Sequence, residues 1–250
     1  MRYVCMHKVG PSSEAGLPPS PELVAGMGQL IGETAKTGMF LAGGGLKPSR
    51  DRLRLTFAQG RCTVTPGPLV GGNELPASFA TIKVKTRDEG IEWAKRYAAA
   101  VGAEEIELGL MTEPWDLGVC AKPEGAPLQF MILNKATKAT EAGIGPSPKQ
   151  AAELARLTAE MTRAGVLTFV ETLQPSNQAV RLRYRNGKRT VIDGPFAESK
   201  ELIGGFCMVQ MHSLDEVLEW SNRFAKIINE DMEMDIRLAG EAKDAAQAGQ

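Results

Sequence analysis

The sequence predicts an α+β fold: two tandem ferredoxin-like βαβββαβ units packed sheet to sheet as an intrachain pseudo-dimer. Three observations predict it. The chain repeats itself, each copy alternates strand and helix signals in one order, and the opening strands are apolar on both faces. Shifted by 127 residues, positions 3–98 align with 130–225 without a gap at about 30% identity. Glu14-Ala15-Gly16 returns as Glu141-Ala142-Gly143, and Pro19-Ser20-Pro21 as Pro146-Ser147-Pro148. Thr63-Val64 and Gly67-Pro68 return as Thr190-Val191 and Gly194-Pro195, and Asp88-Glu89 with Trp93 as Asp215-Glu216 with Trp220. A period this long means two domains, expected at 1–117 and 128–240. Residues 118–127 have linker composition, and the small, polar tail 241–250 is expected to fray.

Each copy reads alike. Tyr3–Val9 and Phe130–Ala136 open as strands, and a loop rich in Gly and Pro follows. Ser20-Pro21 and Ser147-Pro148 supply an N-cap with proline at the first helical position, and Gln150 completes a capping box. Leu23, Met27, Leu30 and Ile31, or Leu154, Leu157 and Met161, recur at helical spacing up to stops near Gly38 and Gly165. Three strands come next, near 39–46, 52–58 and 61–65 in copy one. The last two turn at Gln59-Gly60, and at Asn186-Gly187 in copy two, a strong hairpin signal. Phe79–Val84 and Phe206–Met211 lead to second helices opened by the boxes Thr86…Glu89 and Ser213…Glu216. Glu105–Met111 and Met234–Leu238 close the units. Helices cover one face of each sheet, and the other apolar face is hidden by stacking the two sheets.

Composition narrows the function. The 29 basic and 30 acidic residues leave a net charge of −1, so no global field draws in nucleic acid or an anionic membrane. No segment approaches the ~18 apolar residues of a membrane helix, and the first residues carry no signal-peptide core, which predicts a cytoplasmic protein. Cys5, Cys62, Cys120 and Cys207 are scattered without metal spacing and read as reduced thiols; Cys5 and Cys207 read as small hydrophobes. Two histidines argue against a His-built metal centre, and no Walker or dinucleotide fingerprint is present, so no cofactor is implied.

The stretch Thr190-Val191-Ile192-Asp193-Gly194-Pro195-Phe196-Ala197-Glu198-Ser199-Lys200-Glu201-Leu202-Ile203-Gly204-Gly205-Phe206 resembles the signature of the DGPF branch of the YCII-related family, and the helix start at Ser213–Trp220 extends the likeness. Copy one keeps Gly67-Pro68, Glu74-Leu75, Phe79 and Asp88-Glu89…Trp93, but has Pro66 for the Asp, Leu69 for the Phe, Asn73 for the Lys and Ala77-Ser78 for the Gly pair. The resemblance implies a dimeric α+β barrel. For some relatives it implies steps on aromatic breakdown products, and for DGPF members an association with extracytoplasmic-function sigma factors. Fold analogy by itself assigns neither.

Two candidates can move protons. Asp193 ends a strand before Gly194-Pro195; its carboxylate is expected either to face the cleft between the sheets as a general base or to bond its own turn. His7 lies on the opening strand, where the aligned residue is Asn134; it reads either as a titrating cleft group or as a satisfied structural histidine. A composite His7/Asp193 site across the interface is one arrangement, a single pocket around Asp193 the other. Asn134, Phe196, Glu198, Lys200, Gly204 and Gly205 are the candidate ligand contacts. For the loop charges the alternative is solvation, and for the glycines a bulge. Trp93 and Trp220 read as packing residues and His212 as surface. Two functional readings follow. One is a cofactor-independent enzyme acting on a small organic molecule in an inter-sheet pocket; the other is a non-catalytic ligand-binding or regulatory module, with a protein partner such as a sigma factor. The chain is expected as a monomeric pseudo-dimer or a homodimer.

Overall fold

The computed structural model describes residues 1–197 and 199–240; the expected frayed tail lies outside them. The first copy contributes β1 (Arg2–Lys8), α1 (Pro11–Ala15), α2 (Pro21–Lys36), β2 (Phe40–Gly45), β3 (Leu53–Ala58), β4 (Arg61–Pro66), β5 (Pro76–Val84), α3 (Arg87–Val101) and β6 (Glu105–Leu110). The second contributes β7 (Leu128–Lys135), α4 (Lys138–Glu141), α5 (Pro148–Arg163), β8 (Leu167–Thr172), β9 (Val180–Arg185), β10 (Lys188–Asp193), β11 (Ile203–Gln210), α6 (Leu214–Ile228) and β12 (Met232–Leu238). The caps act as the sequence indicates: the hydroxyls of Ser20, Ser147, Thr86 and Ser213 accept the N–H groups of Leu23, Gln150, Glu89 and Glu216. The one-turn helices α1 and α4 stand where the sequence signals only loop. No described helix is long and apolar enough to cross a membrane.

Among the described residues twelve strands form two antiparallel sheets of six. Sheet I runs β10-β9-β12-β1-β11-β2 and sheet II runs β4-β3-β6-β7-β5-β8. This corrects the expectation that each copy builds its own sheet. The opening β1-α2-β2 of copy one pairs with the later strands of copy two, and β7-α5-β8 pairs with those of copy one. Each sheet therefore interleaves two β-α-β crossovers taken from different copies. The limits expected at 1–117 and 128–240 do not divide the sheets.

Alternation along the strands sorts the core into three layers. Tyr3, Cys5, Leu182, Val209 and Ile236 pack beneath α2 and α6; Leu55, Ile82, Ile106 and Ile132 pack beneath α3 and α5. Val4, Met6, Phe206 and Met208 of sheet I meet Phe79, Met131 and Leu133 of sheet II in the middle. Phe79 and Phe206 pack across that interface in a tilted arrangement, with ring centroids 4.7 Å apart and the planes at 58°. At the corners, the segment after β2 bonds the end of β6 (Lys47 N–H to Leu110 O, 2.8 Å), and the segment after β8 bonds the end of β12 (Gln174 N–H to Leu238 O, 2.9 Å).

Two fully buried arginines clamp the sheets. Arg52 donates to the carbonyls of Lys47 (2.8 Å) and Ile203 (2.7 Å) and to Glu107 (2.8 Å). Arg237 donates to the carbonyls of Gln174 (3.1 Å) and Pro76 (3.3 Å) and to Glu141 (3.2 Å). Lys47 aligns with Gln174 and Pro76 with Ile203, so the two guanidiniums reach equivalent carbonyls from non-equivalent positions. Where copy two places Arg237 on its last strand, copy one has Gly109, and a Cβ there would sit 3.7 Å from the Arg52 side chain. Where copy one has Arg52, copy two has Ala179.

Arg52→Ala strands Glu107, whose carboxyl burial already holds above its ordinary value despite the pull of Arg52. Breaking a buried pair costs about 3–5 kcal/mol. Urea unfolding is expected to show a loss of that size, with partial recovery in Arg52→Ala/Glu107→Gln; a loss within ~1 kcal/mol contradicts the clamp.

Candidate functional site

The hairpin β9–β10 and the loop after it build the site. In sheet I, Asp235 pairs with Arg181 and Glu233 with Arg183. Leu182, Met234 and Ile236 belong to the helix side, so these four charged side chains lie on the face turned toward sheet II. Arg181 forks onto Asp235 through Nε (2.6 Å) and Nη2 (3.0 Å). Lys8, from the other copy, bonds the same carboxylate at 2.9 Å. Glu233 lies 3.3 Å from Arg181 and 2.9 Å from Arg183. Burial opposes charge on Asp235, but the Lys8 ammonium and the Arg181 guanidinium together hold its carboxyl below the ordinary 3.8.

The Asp-Gly-Pro-Phe stretch closes this cluster. Gly194 lies against the Ser176 carbonyl, where a Cβ would come within 1.7 Å, so only glycine fits. The following Pro195 peptide is cis. The Phe196 N–H donates to the Ser176 hydroxyl at 3.0 Å, and its ring lies over the Arg181 guanidinium, 4.3 Å from the centroid. The motif's local task is thus to set Phe196 on Arg181.

Copy one builds the equivalent cluster differently. Arg54 and Lys135 correspond to Arg181 and Lys8, and Glu107 faces Arg54 as Asp235 faces Arg181. There the buried Glu74 bonds Arg54 (3.0 Å), Lys135 (3.0 Å) and the Gly72 N–H (2.7 Å). Its counterpart Glu201 is exposed and reaches Arg181 only through its field. Copy one's end is sealed by its own carboxylate. Copy two's end keeps Arg183 at the surface, 44% exposed.

The sequence candidates fall elsewhere. Asp193 pairs with Val180, a helix-side residue, so its carboxylate is on the outer face of sheet I, and it is exposed. This corrects the expectation of a cleft-facing base. His7 shares that face, with its ring 5.6 Å from Phe224 of α6. Three strand spacings separate the two residues, about 15 Å, so they form no composite site. His7 Nδ1 donates to the Lys8 carbonyl at 3.3 Å. Burial, joined by the Arg52 and Lys8 charges and opposed by that bond, lowers its pKa from 6.5 to about 4. The imidazole is neutral at pH 7. Gly204 and Gly205 leave room for this ring, since a Cβ on either would lie 2.9 or 2.7 Å from it. Asn134, the counterpart of His7, donates to Ser78 at 3.1 Å, which also receives the Tyr97 hydroxyl at 3.2 Å. Phe196 belongs to the cluster, Lys200 follows it in the loop, and Glu198 lies outside the described residues. Cys5 and Cys207 are buried free thiols, with burial pushing Cys5 up to about 12. Trp220 is buried beneath α2 and bonds Thr34 at 2.9 Å, while His212 is exposed. The space between the sheets is filled by the Phe and Met layer. Shallow depressions lie on the outer surface, one between α2 and α6 and one at the β3–β4 turn.

Composition and motif reading did not single out Lys8, Arg181, Arg183, Glu233 and Asp235. A signal existed: Lys8/Lys135, Arg54/Arg181 and Glu74/Glu201 are charged positions retained between the copies within or beside apolar strands.

Two likenesses to known proteins fall on this chain. The family model of the YCII-related domain matches residues 128–227, the stretch that carries the Phe196 closure. An uncharacterized protein of Rhizobium meliloti (strain 1021) is 39% identical over 69 residues, 28% of this chain and 56% of its own length. The chain thus spans about half of that relative.

Asp235→Asn leaves Lys8 buried without its counter-charge and Arg181 with Glu233 alone, an expected loss of about 3–5 kcal/mol at pH 7 by urea unfolding. Because folding lowers the Asp235 pKa, its contribution is present above the unfolded value of 3.8 and disappears as pH falls through the folded value, so wild type and variant should converge in acid. For His7 the sign is set by a depressed histidine. Its neutral form is favoured by folding, so stability is lost as pH falls from 6.5 toward 4. His7→Asn should flatten that part of the stability profile, and the imidazole should titrate near 4 by NMR.

Proposed function

We propose that the chain is a tandem pair of YCII-related domains of the DGPF branch acting as a non-catalytic binding and regulatory module. Its working end is the open copy-two cluster, and its ligand carries an anionic group. The observation that carries this reading is the contrast between the two ends. Glu74 supplies a built-in anion to Arg54 and Lys135, whereas its counterpart Glu201 is exposed and Arg183, held by Glu233, stands at the rim. An anionic group from outside can occupy the place that Glu74 takes in copy one. The acid/base reading has less support, because His7 is neutral, Asp193 is exposed, and the two do not converge. A protein partner, such as the sigma factor the family resemblance implies, would read the ligand state through the Asp193–Leu202 loop.

Thermal-shift and calorimetric titration against a panel of small carboxylates and phosphates tests this. At least one anion is expected to stabilise the protein, and Arg183→Ala should weaken it about tenfold, near 1.4 kcal/mol. Asp193→Asn should leave binding unchanged. Turnover of a panel compound that is lost in a folded Asp193→Asn variant would instead establish the enzymatic reading, and no response to any anion would remove the binding one.

A further inference from the structure

Strand β10 is an edge of sheet I, exposed along nearly its whole length and paired, among the described residues, only with β9. Its turn, Asn186-Gly187, has φ of 51° and 72°, the two-residue geometry that makes Arg185 and Lys188 a hydrogen-bonded pair. Pairs alternate along an antiparallel ladder, so Arg189, Val191 and Asp193 turn their N–H and C=O groups outward, away from β9. The side chains of these three share the outer face, opposite Tyr184, Leu182 and Val180. A cation, a 44%-exposed valine and an anion thus stand in line at every second residue.

We propose that this edge is an isologous dimer interface, with β10 pairing antiparallel to β10 of a second copy about a two-fold axis at Val191. In that register Arg189 of each copy faces Asp193 of the other, and Val191 packs on Val191. All three outward N–H groups of each strand find carbonyls. The occupant is a second copy because the charge order of the strand is complementary to its own reverse. The remaining cations do not oppose the pairing: Lys188 and its counterpart lie at opposite ends, about 20 Å apart, beyond the screening length at physiological salt. The closed two-fold arrangement stops at two chains. The corresponding edge β4 has Cys62, Val64 and Pro66 at these positions, with no charge pair and no donor at Pro66, so of these two matched edges β10 alone is suited. This assigns Asp193 a task outside the cluster that Phe196 closes.

Sedimentation velocity of the full chain over a wide concentration range tests the assignment, with circular dichroism as the check on folding. A weak dimer that loosens with salt is expected, since a single strand pairing buries less than the ~1,000 Å² of stable interfaces. Arg189→Asp or Asp193→Arg alone should weaken it at least tenfold, because each places like charges face to face. The double variant Arg189→Asp/Asp193→Arg should restore it, which no folding defect would do. Val191→Pro, which removes the central donor, should leave a monomer. Monomers at every concentration, a dimer indifferent to the single variants, failure of the double variant to recover, or a monomer that takes up an acidic extended peptide at this edge would each overturn the proposal.

Discussion

A sheet whose strands are apolar on both faces cannot be covered by one layer of helices, and that constraint organises this molecule. In sheet I, Tyr3 and Cys5 lie under α2 and α6 while Val4 and Met6 between them face the other way. Sheet II presents the same problem through Phe79, Met131 and Leu133, and the two inner faces bury each other. Once stacked, the sheets bring Arg52 and Arg237 out of water, and each guanidinium must then find carbonyls and a carboxylate on both sides of the interface. The charged clusters at Arg54 and Arg181 follow from the same stacking, since inward-facing charges near the ends of the sheets have nowhere to go but to one another.

The two copies keep this frame while exchanging its parts. An arginine before β3 with a glycine on β6 becomes an alanine before β9 with an arginine on β12, and the same carbonyls are still reached. The helix side shows a second exchange: Asn134, Ser78 and Tyr97 form a hydrogen-bonded trio, and the matching positions hold His7, Gly205 and Phe224. The larger imidazole takes the volume given up by the serine and the tyrosine hydroxyl. His7 is thereby explained by packing, and its depressed pKa is a consequence of burial among apolar neighbours.

Part of the site was legible in the chain. The Gly194-Pro195-Phe196 stretch marked the loop that closes over Arg181, and the loss of the motif at Pro66 and Leu69 marked copy one as different. The cluster itself was not legible from local pattern, because its charged members come from three strands and both copies, and each alone looks like an ordinary strand-end charge. Asp193 illustrates the opposite error. A strand-end aspartate before a turn gives no sign of which face it occupies, and a shift of one residue in register reverses the answer.

What the sequence by itself determined is the local and the repeated: the helices and their caps, the hairpin at Asn186-Gly187, the two-faced strands and the need for two stacked sheets. These depend on neighbours within a few residues and on composition, which a linear pattern records. Only the tertiary structure decided which strands pair. β1 is as apolar a partner for β5 of its own copy as for β11 of the other, and the alternation is satisfied either way. The choice of β11 places Lys8 against Asp235 and Arg181 and gives each charged end a residue from both copies. Those contacts join residues far apart in the chain, and no local pattern distinguishes one long-range pairing from its pseudo-symmetric twin.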